Sequence, residues 1–332
     1  MRVKMSDVAR DAGVSIATVS CVLSGKRTVS EKSREKVLKS ISKLGYIPNV
    51  NARAFKSGRP TVVGIIVPEI DMHFYGTIIR EVERQLSEKN IQLIVSSTYF
   101  SYERELKAVQ TLTSTLVDGL IIASSSNFSE VSRLIPPGLP AVFFDYKPPD
   151  FKDFDRVTCM TRNATYEAVC DMISHGCKRI GAVFYDRHKE GTMRERREAY
   201  LDALKDHGFD YGEEVIVYCN ENPAPPRIPS FYPSFERLVE LGCDSILTPS
   251  QPITEQFINF RQQCDKTRNI IFTGFYEYPW IDRPFPNIGL VHQPVERIGR
   301  EVAGLIVNRL EEGYVSTPVK EVILQSVYVP AH

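Results

Sequence analysis

The sequence lacks most of what would mark an exported, membrane-bound or catalytic protein. In its 332 residues no apolar run approaches the roughly 20 residues needed to cross a bilayer, so no membrane segment is expected. No apolar signal core opens the chain, because basic and helix-forming residues begin at once, and a cytoplasmic location is the expectation. The seven cysteines, Cys21, Cys159, Cys170, Cys177, Cys219, Cys243 and Cys264, are odd in number and contain no C-x-x-C pair. They read as reduced, mostly packed thiols, which argues against a disulfide framework and a zinc site. Six histidines are dispersed without metal spacing, at positions 73, 175, 188, 207, 292 and 332. There is no Gly-rich phosphate loop, no G-x-S-x-G and no H-E-x-x-H, so no cofactor and no enzymatic constellation is expected.

A formal net charge of zero conceals an imbalance. Residues 1–60 hold 13 Lys and Arg against 4 Asp and Glu, which leaves 28 against 37 for the remainder. A basic head on an acidic body is the footprint of a phosphate-binding module. Within that head Ser6 can cap a first helix that Gly13 closes, and Ser15 can cap a second, IATVSCVLS, that Gly25 ends. Two short helices joined by a tight turn at Gly13 and Val14 form a helix-turn-helix signature. Val8, Ala9, Val14, Val19, Val22 and Leu23 are expected inside. Ser30 can cap a third helix on which Val37, Leu38, Ile41 and Leu44 recur at helical spacing. Ile16, Ala17, Ser20 and Cys21 are left facing outward. The segment Tyr46 to Gly58 allows about two helical turns after Pro48, but a helix this short is marginal alone, so a flexible linker is an equal reading.

The continuous stretch DVARDAGVSIATVSCVLSGKRTVSEKSREKVLKSISKLGYIPNVNARAF resembles the head of lactose-repressor (LacI) family transcription regulators, whose pattern is close to DVAxxAGVSxxTVSRVLNG…VSxxTRxxVxxAIxxLGYxPNxxARxL. The resemblance implies a homodimer that reads double-stranded operator DNA. It places the second helix in the major groove, with Ile16, Ala17, Ser20 and Cys21 nearest the base edges. Ser15, Thr18, Lys26, Arg27, Tyr46, Asn49 and Arg53 then fall on phosphates or groove edges. It also makes residues 49–60, with Ala52, a hinge helix whose leucine wedges the minor groove; here Phe55 stands at that position. Most relatives carry arginine where this chain has Cys21, so an operator differing from the usual half-site is expected.

From Thr61 onward short apolar runs alternate with helical patterns: TVVGIIVP, IQLIVSST, GLIIASS and AVFFDY between helices, then a Pro- and Asp-rich stretch, then a second such series ending in NIGLVHQ, a long helix and a terminal strand pair VKEVILQSVYV. Runs of this kind are buried on both faces of parallel sheets. The expected class is α/β: an all-α helix-turn-helix head with a hinge helix, then a periplasmic-binding-protein-like core of two doubly wound parallel-sheet subdomains. The expected divisions are 1–48 for the head, 49–60 for the hinge, 61–161 with 291–318 for the first core subdomain, and 162–290 with 319–332 for the second.

Crevices at the carboxyl ends of such strands take small ligands. By the resemblance, Arg196 in RERREAY falls at a sugar- or base-binding arginine, Phe74 and Tyr75 match two aromatics, and Ser124 and Ser125 lie at the first crevice. Two matches fail: GFYE puts Tyr276 where the family has a hydroxyl-gripping aspartate, and SQPIT puts Gln251 at a second polar anchor. Phe275, Tyr278 and Trp280 add aromatic surface. The expected effector is a small molecule, a carbohydrate or related metabolite. A protein corepressor, or a regulator that needs no effector, stays open at this stage.

Overall fold

The computed structural model describes residues 5–24, 29–44, 61–115, 117–124, 128–145, 153–185, 191–219, 230–267, 270–277, 288–312 and 318–330. Lys26, Arg27, Tyr46, Asn49, Ala52, Arg53, Phe55, Ser125, Tyr278 and Trp280, singled out above, lie outside them.

The head is three helices, α1 (Met5–Ala12), α2 (Ile16–Ser24) and α3 (Glu31–Leu44). Gly13 takes a left-handed φ of 63°, and the Val14 N–H reaches back to the Ala9 carbonyl at 3.0 Å, closing α1. Ser15 Oγ accepts from the Thr18 N–H at 3.1 Å and so caps α2. Val8, Ala9, Ala12, Val19 and Val37 form the buried centre, with Met5, Val14, Val22, Ile41 and Leu44 packed around it. Leu38 departs from expectation: it is 50 % exposed, because the inward stripe of α3 runs through Val37, Ser40, Ile41 and Leu44. Ser40 is buried there with its hydroxyl given to the Val8 carbonyl. Helix α1 begins at Met5, so Ser6 lies inside its first turn instead of capping it.

Two six-stranded sheets follow. The first runs β11 (Glu321–Gln325), β5 (Asp155–Met160), β4 (Ala141–Phe144), β3 (Gly119–Ile122), β1 (Thr61–Val67), β2 (Ile91–Ser97), all parallel. The second runs β12 (Val327–Val329), β10 (Ile288–His292), β9 (Ile271–Phe275), β8 (Ser245–Thr248), β6 (Ile180–Tyr185), β7 (Ile216–Cys219). Its one antiparallel pair among the described residues is β10 with β12. Helices α4 (His73–Ser87) and α11 (Val295–Glu312) cover one face of the first sheet, and α5 (Tyr102–Thr115) with α6 (Phe128–Arg133) covers the other. The second sheet lies between α7 (Arg162–Ser174) with α8 (Thr192–Asp206) and α9 (Tyr232–Glu240) with α10 (Gln251–Gln263). The inner strands of each sheet are buried on both faces, as their uninterrupted hydrophobicity requires, while the edge strands β2, β11 and β12 are partly exposed.

The end of the chain departs from expectation. Its last two strands do not pair with each other: β11 joins the first sheet beside β5, and β12 joins the second beside β10. Residues 319–332 therefore do not all belong to the second subdomain, and β10 continues in that subdomain past residue 290, to His292. The pairing has a chemical cause. Arg309 of α11 donates Nε and Nη2 to Asp155 at 2.7 and 2.6 Å and Nη2 to the Pro318 carbonyl, while the Lys320 N–H also reaches Asp155. This buried ion pair draws the segment after α11 to the edge of β5. Strand β5 itself, DRVTCM, was not anticipated, since a charged residue and small polar groups mask a strand that is inside only because Asp155 is satisfied.

The chain thus passes between the sheets three times, at Thr161, at Gln293 and at Ser326, all three buried.

Candidate functional site

In the head, the exposed side of α2 is the surface a groove would meet. Ile16 is 53 % exposed, Ala17 and Ser20 are exposed, Cys21 is half-buried, and Val19 turns inward. Ser15 and Thr18 stand at the start of α2, their hydroxyls 2.9 Å apart. An α-helix N-terminus with free N–H groups and short hydroxyl side chains suits phosphate contact.

The second site lies where the carboxyl ends of the two sets of strands face each other. Its centre is Arg196 on α8, 4 % exposed. Its guanidinium donates Nε to Thr161 Oγ1 at 3.3 Å, Nη1 to the Pro249 carbonyl at 2.5 Å and Nη2 to Gln293 Oε1 at 2.9 Å, and lies 3.7 Å over the Phe275 ring. A solvated helix face, the ordinary reading of an Arg-rich RERR run, is therefore wrong for this residue. Thr161 and Gln293 are two of the three crossings between sheets, so Arg196 ties the second subdomain to the connections about which the halves would turn.

From the first subdomain, the Tyr75 hydroxyl donates to Asp145 at 2.8 Å, and the Ser124 hydroxyl to Glu105 at 2.6 Å. Asp145 follows β4 with a left-handed φ of 73°, a conformation that Asp tolerates better than most residues. Burial raises its pKa, against the opposing pull of the Tyr75 hydrogen bond and of Arg196. Burial and the Asp145 carboxylate likewise raise that of Tyr75. Across the cleft, the Phe74 N–H donates to Gln251 Oε1 at 3.3 Å, and Gln251 in turn donates to Glu255 at 2.8 Å. The His73 ring lies beside the Glu277 backbone, the start of α4 next to the segment that follows β9.

The structure brings together five of the six cleft residues expected from sequence: Phe74, Tyr75, Ser124, Arg196 and Gln251 are buried around this seam. Tyr276 is corrected. It is 2 % exposed and packs into the core of the second subdomain, with Phe257, Phe272 and Leu290 in the same cluster. Alternation along β9 accounts for this: Phe275 faces Arg196, Tyr276 faces the opposite side, and the next residue, Glu277, carries the carboxylate at this strand end. Burial pushes the Glu277 pKa up to about 8, although Arg196 lowers it. Asp145, Glu105, Glu277, Gln293 and Ser250 were missed by sequence reading. Strand ends followed by an acid, AVFFD and GFYE, were the available signal. Among the described residues no cluster of metal-ligating side chains occurs, and no helix is long and apolar enough to cross a membrane.

A helix-turn-helix head ahead of two doubly wound sheets that meet at their strand ends defines the class of DNA-binding transcription regulators built on a periplasmic-binding-protein-like core. Residues 4–49 match the description "Bacterial regulatory proteins, lacI family" and residues 60–224 match "Periplasmic binding proteins and sugar binding domain of LacI family". The chain belongs to the LacI family and is a DNA-binding transcription regulator, not an enzyme. It is 27 % identical over 323 residues to the HTH-type transcriptional regulator RegA of Clostridium saccharobutylicum, covering 96 % of each chain. To the catabolite control protein A of Priestia megaterium it is 32 % identical over 218 residues, 65 % of each. Among solved structures it superposes on a transcriptional regulator CelR–cellobiose complex with a TM-score of 0.68 at 23 % identity, covering 99 % of this chain and 98 % of the other.

Proposed function

We propose that the chain is a cytoplasmic homodimeric repressor whose affinity for a near-palindromic operator is set by a carbohydrate or related small metabolite in the inter-sheet cleft. The observation that carries this reading is the position of Arg196, with one face on the cleft and its donors on two of the three crossings. A ligand that changes the arrangement around Arg196 changes the angle between the subdomains, and a dimer converts that angle into the separation of its two heads. The cellobiose bound in the solved relative supports a carbohydrate as the ligand class.

At the DNA end, Ile16, Ala17, Ser20 and Cys21 read bases in the major groove, while Ser15, Thr18, Lys26, Tyr46, Asn49 and Arg53 hold the backbone or groove edges, and Ala52 and Phe55 serve the minor groove. Ile16 suits the methyl group of a thymine. A cysteine at position 21 forgoes the bidentate arginine–guanine pair, worth about 1–3 kcal/mol of discrimination, so the operator differs from the common half-site.

The test is operator binding by fluorescence anisotropy across a panel of mono- and disaccharides, with wild type and Arg196→Ala. Release of DNA by at least one sugar in the wild type and its loss in the variant is the expected result; identical release by both proteins would remove Arg196 from the mechanism.

A further inference from the structure

At the strand ends that meet in the cleft, some polar groups are satisfied within the protein and others are not, Glu69 Oε1 just past β1 among the latter. At the end of β3 the Ser124 hydroxyl is donated to Glu105, and at the end of β4 the Asp145 carboxylate accepts from Tyr75. The topological counterparts in the second sheet are the ends of β8 and β9. There, Ser250 Oγ and Glu277 Oε2 are shut off from solvent and have no hydrogen-bond partner among the described residues. Strands β8 and β9 are paired neighbours, so the segments that carry Ser250 and Glu277 leave the same end of one sheet. An enclosed polar atom without a partner carries an uncompensated desolvation penalty, and such atoms at a cleft mark where a ligand would bond.

Charge narrows the ligand. Asp145 and Glu277 both face Arg196, and Glu255 faces Glu277. Arg196 has committed three of its donor directions to Thr161, Pro249 and Gln293. It is directed at protein acceptors, and an anionic ligand would meet carboxylates from both halves.

We propose that the effector is a carbohydrate bearing a primary amine, whose ammonium is received by Glu277 with Asp145 facing it, and whose neighbouring hydroxyl is held by Ser250. The inference rests on the reading of the cleft as a carbohydrate site and names the class of sugar within it. An amine can take up the proton that the buried Glu277 carboxyl holds, and the resulting ammonium then offers three donors to that carboxylate and to Asp145, in charge-assisted hydrogen bonds about twice as strong as neutral ones in a dry site. Sugar phosphates are disfavoured by the same arrangement.

The experiment is a thermal-shift and calorimetric titration of the full chain, at pH 7.5 and low salt, with matched probes: D-glucosamine and D-galactosamine, their neutral parents D-glucose and D-galactose, the N-acetyl derivatives, and glucose 6-phosphate. At least one amine is expected to bind roughly tenfold or more tightly than its parent and its acetylated form, which corresponds to about 1.4 kcal/mol. Glu277→Gln is expected to erase that preference while keeping the protein folded, and Ser250→Ala to weaken amine and parent alike. Equal binding of amine and parent, tighter binding of the phosphate, or an unchanged preference in Glu277→Gln overturns the proposal and leaves the carbohydrate reading standing. Failure of every sugar to bind overturns both.

Discussion

The first sheet, ordered β11-β5-β4-β3-β1-β2, and the second, ordered β12-β10-β9-β8-β6-β7, are built to one plan, but they are held and finished differently. The outer strand of the first, β11, is fixed through a buried Arg309–Asp155 pair. The outer strand of the second, β12, is fixed by a hydroxyl, Tyr328 donating to Asp171 at 2.7 Å. At the cleft, the first sheet presents the bonded pairs Ser124–Glu105 and Tyr75–Asp145, with Glu69 Oε1 unpartnered just past β1, and the second presents Arg196 clasped to the crossings, with Ser250 Oγ and Glu277 Oε2 unpartnered among the described residues. Strand order follows from apolar patterning and is shared. Ligand chemistry is set by a few residues just past the strand ends, and these can diverge without disturbing the sheet.

The largest break in this comparison comes from Arg309→Met, which strands Asp155 as a buried charge and is expected to destabilise the protein by about 3–5 kcal/mol in urea unfolding. Adding Asp155→Leu should recover much of that loss, and native-state hydrogen exchange should show β11 opening while β12 stays protected. Next comes the serine pair. Ser124→Ala removes a hydrogen bond to a carboxylate and is expected to cost about 1.5–3 kcal/mol, whereas Ser250→Ala removes an enclosed hydroxyl with no partner among the described residues and should stabilise the protein by about 1 kcal/mol.

Glycine substitutions sharpen the same contrast at the level of packing. A Cβ at Gly274 would come within 2.5 Å of the Thr254 side chain, wedged between β9 and the start of α10, so Gly274→Ala is expected to cost about 1–3 kcal/mol. At Gly64 the nearest atoms are the methyl ends of Leu112, Leu120 and Val117 at 3.0–3.2 Å, and Gly64→Ala should cost less.

The smallest effect is a pH dependence. The pKa of Glu277, about 8, lies above that of an unfolded glutamate, so the stability linked to its protonated form is complete at acid pH and is lost as pH rises through 8. Asp145, Glu255 and Arg196 face it, and His73 is neutral in the window from pH 7 to 9, its pKa lowered by burial. Glu277→Gln should therefore gain on the wild type by about 1 kcal/mol between pH 7 and 9 in calorimetric scans. A constant gap would mean that Glu277 is solvated.

Much of the fold was legible because apolar runs and helical stripes report directly on burial. In the head, Gly13, Ser15 and Ser30 mark the end of α1 and the starts of α2 and α3 by backbone chemistry and were legible, whereas Ser6 lies inside α1 and Leu38 faces outward. Strand β5 was missed because Asp155 is buried through a partner 154 positions away, a contact that no local window contains. The terminal strands were misassigned for the same reason. In the cleft, Arg196 was found through an aligned motif, but its burial was not legible in RERR. Tyr276 was placed one residue wrong because the side of a strand on which a residue lies depends on where the strand ends, and GFYE reads equally well in either register.

The central claim, that helix Ile16–Ser24 reads duplex DNA as half of a two-fold pair, is tested most directly by selecting the full chain against random duplex DNA and measuring the salt dependence and stoichiometry of the winner. The account predicts enrichment of a near-palindrome, two chains per duplex, and a steep fall of affinity with salt that reflects several phosphate contacts. Selection that yields no common sequence, or binding by a single chain with little salt dependence, would contradict it.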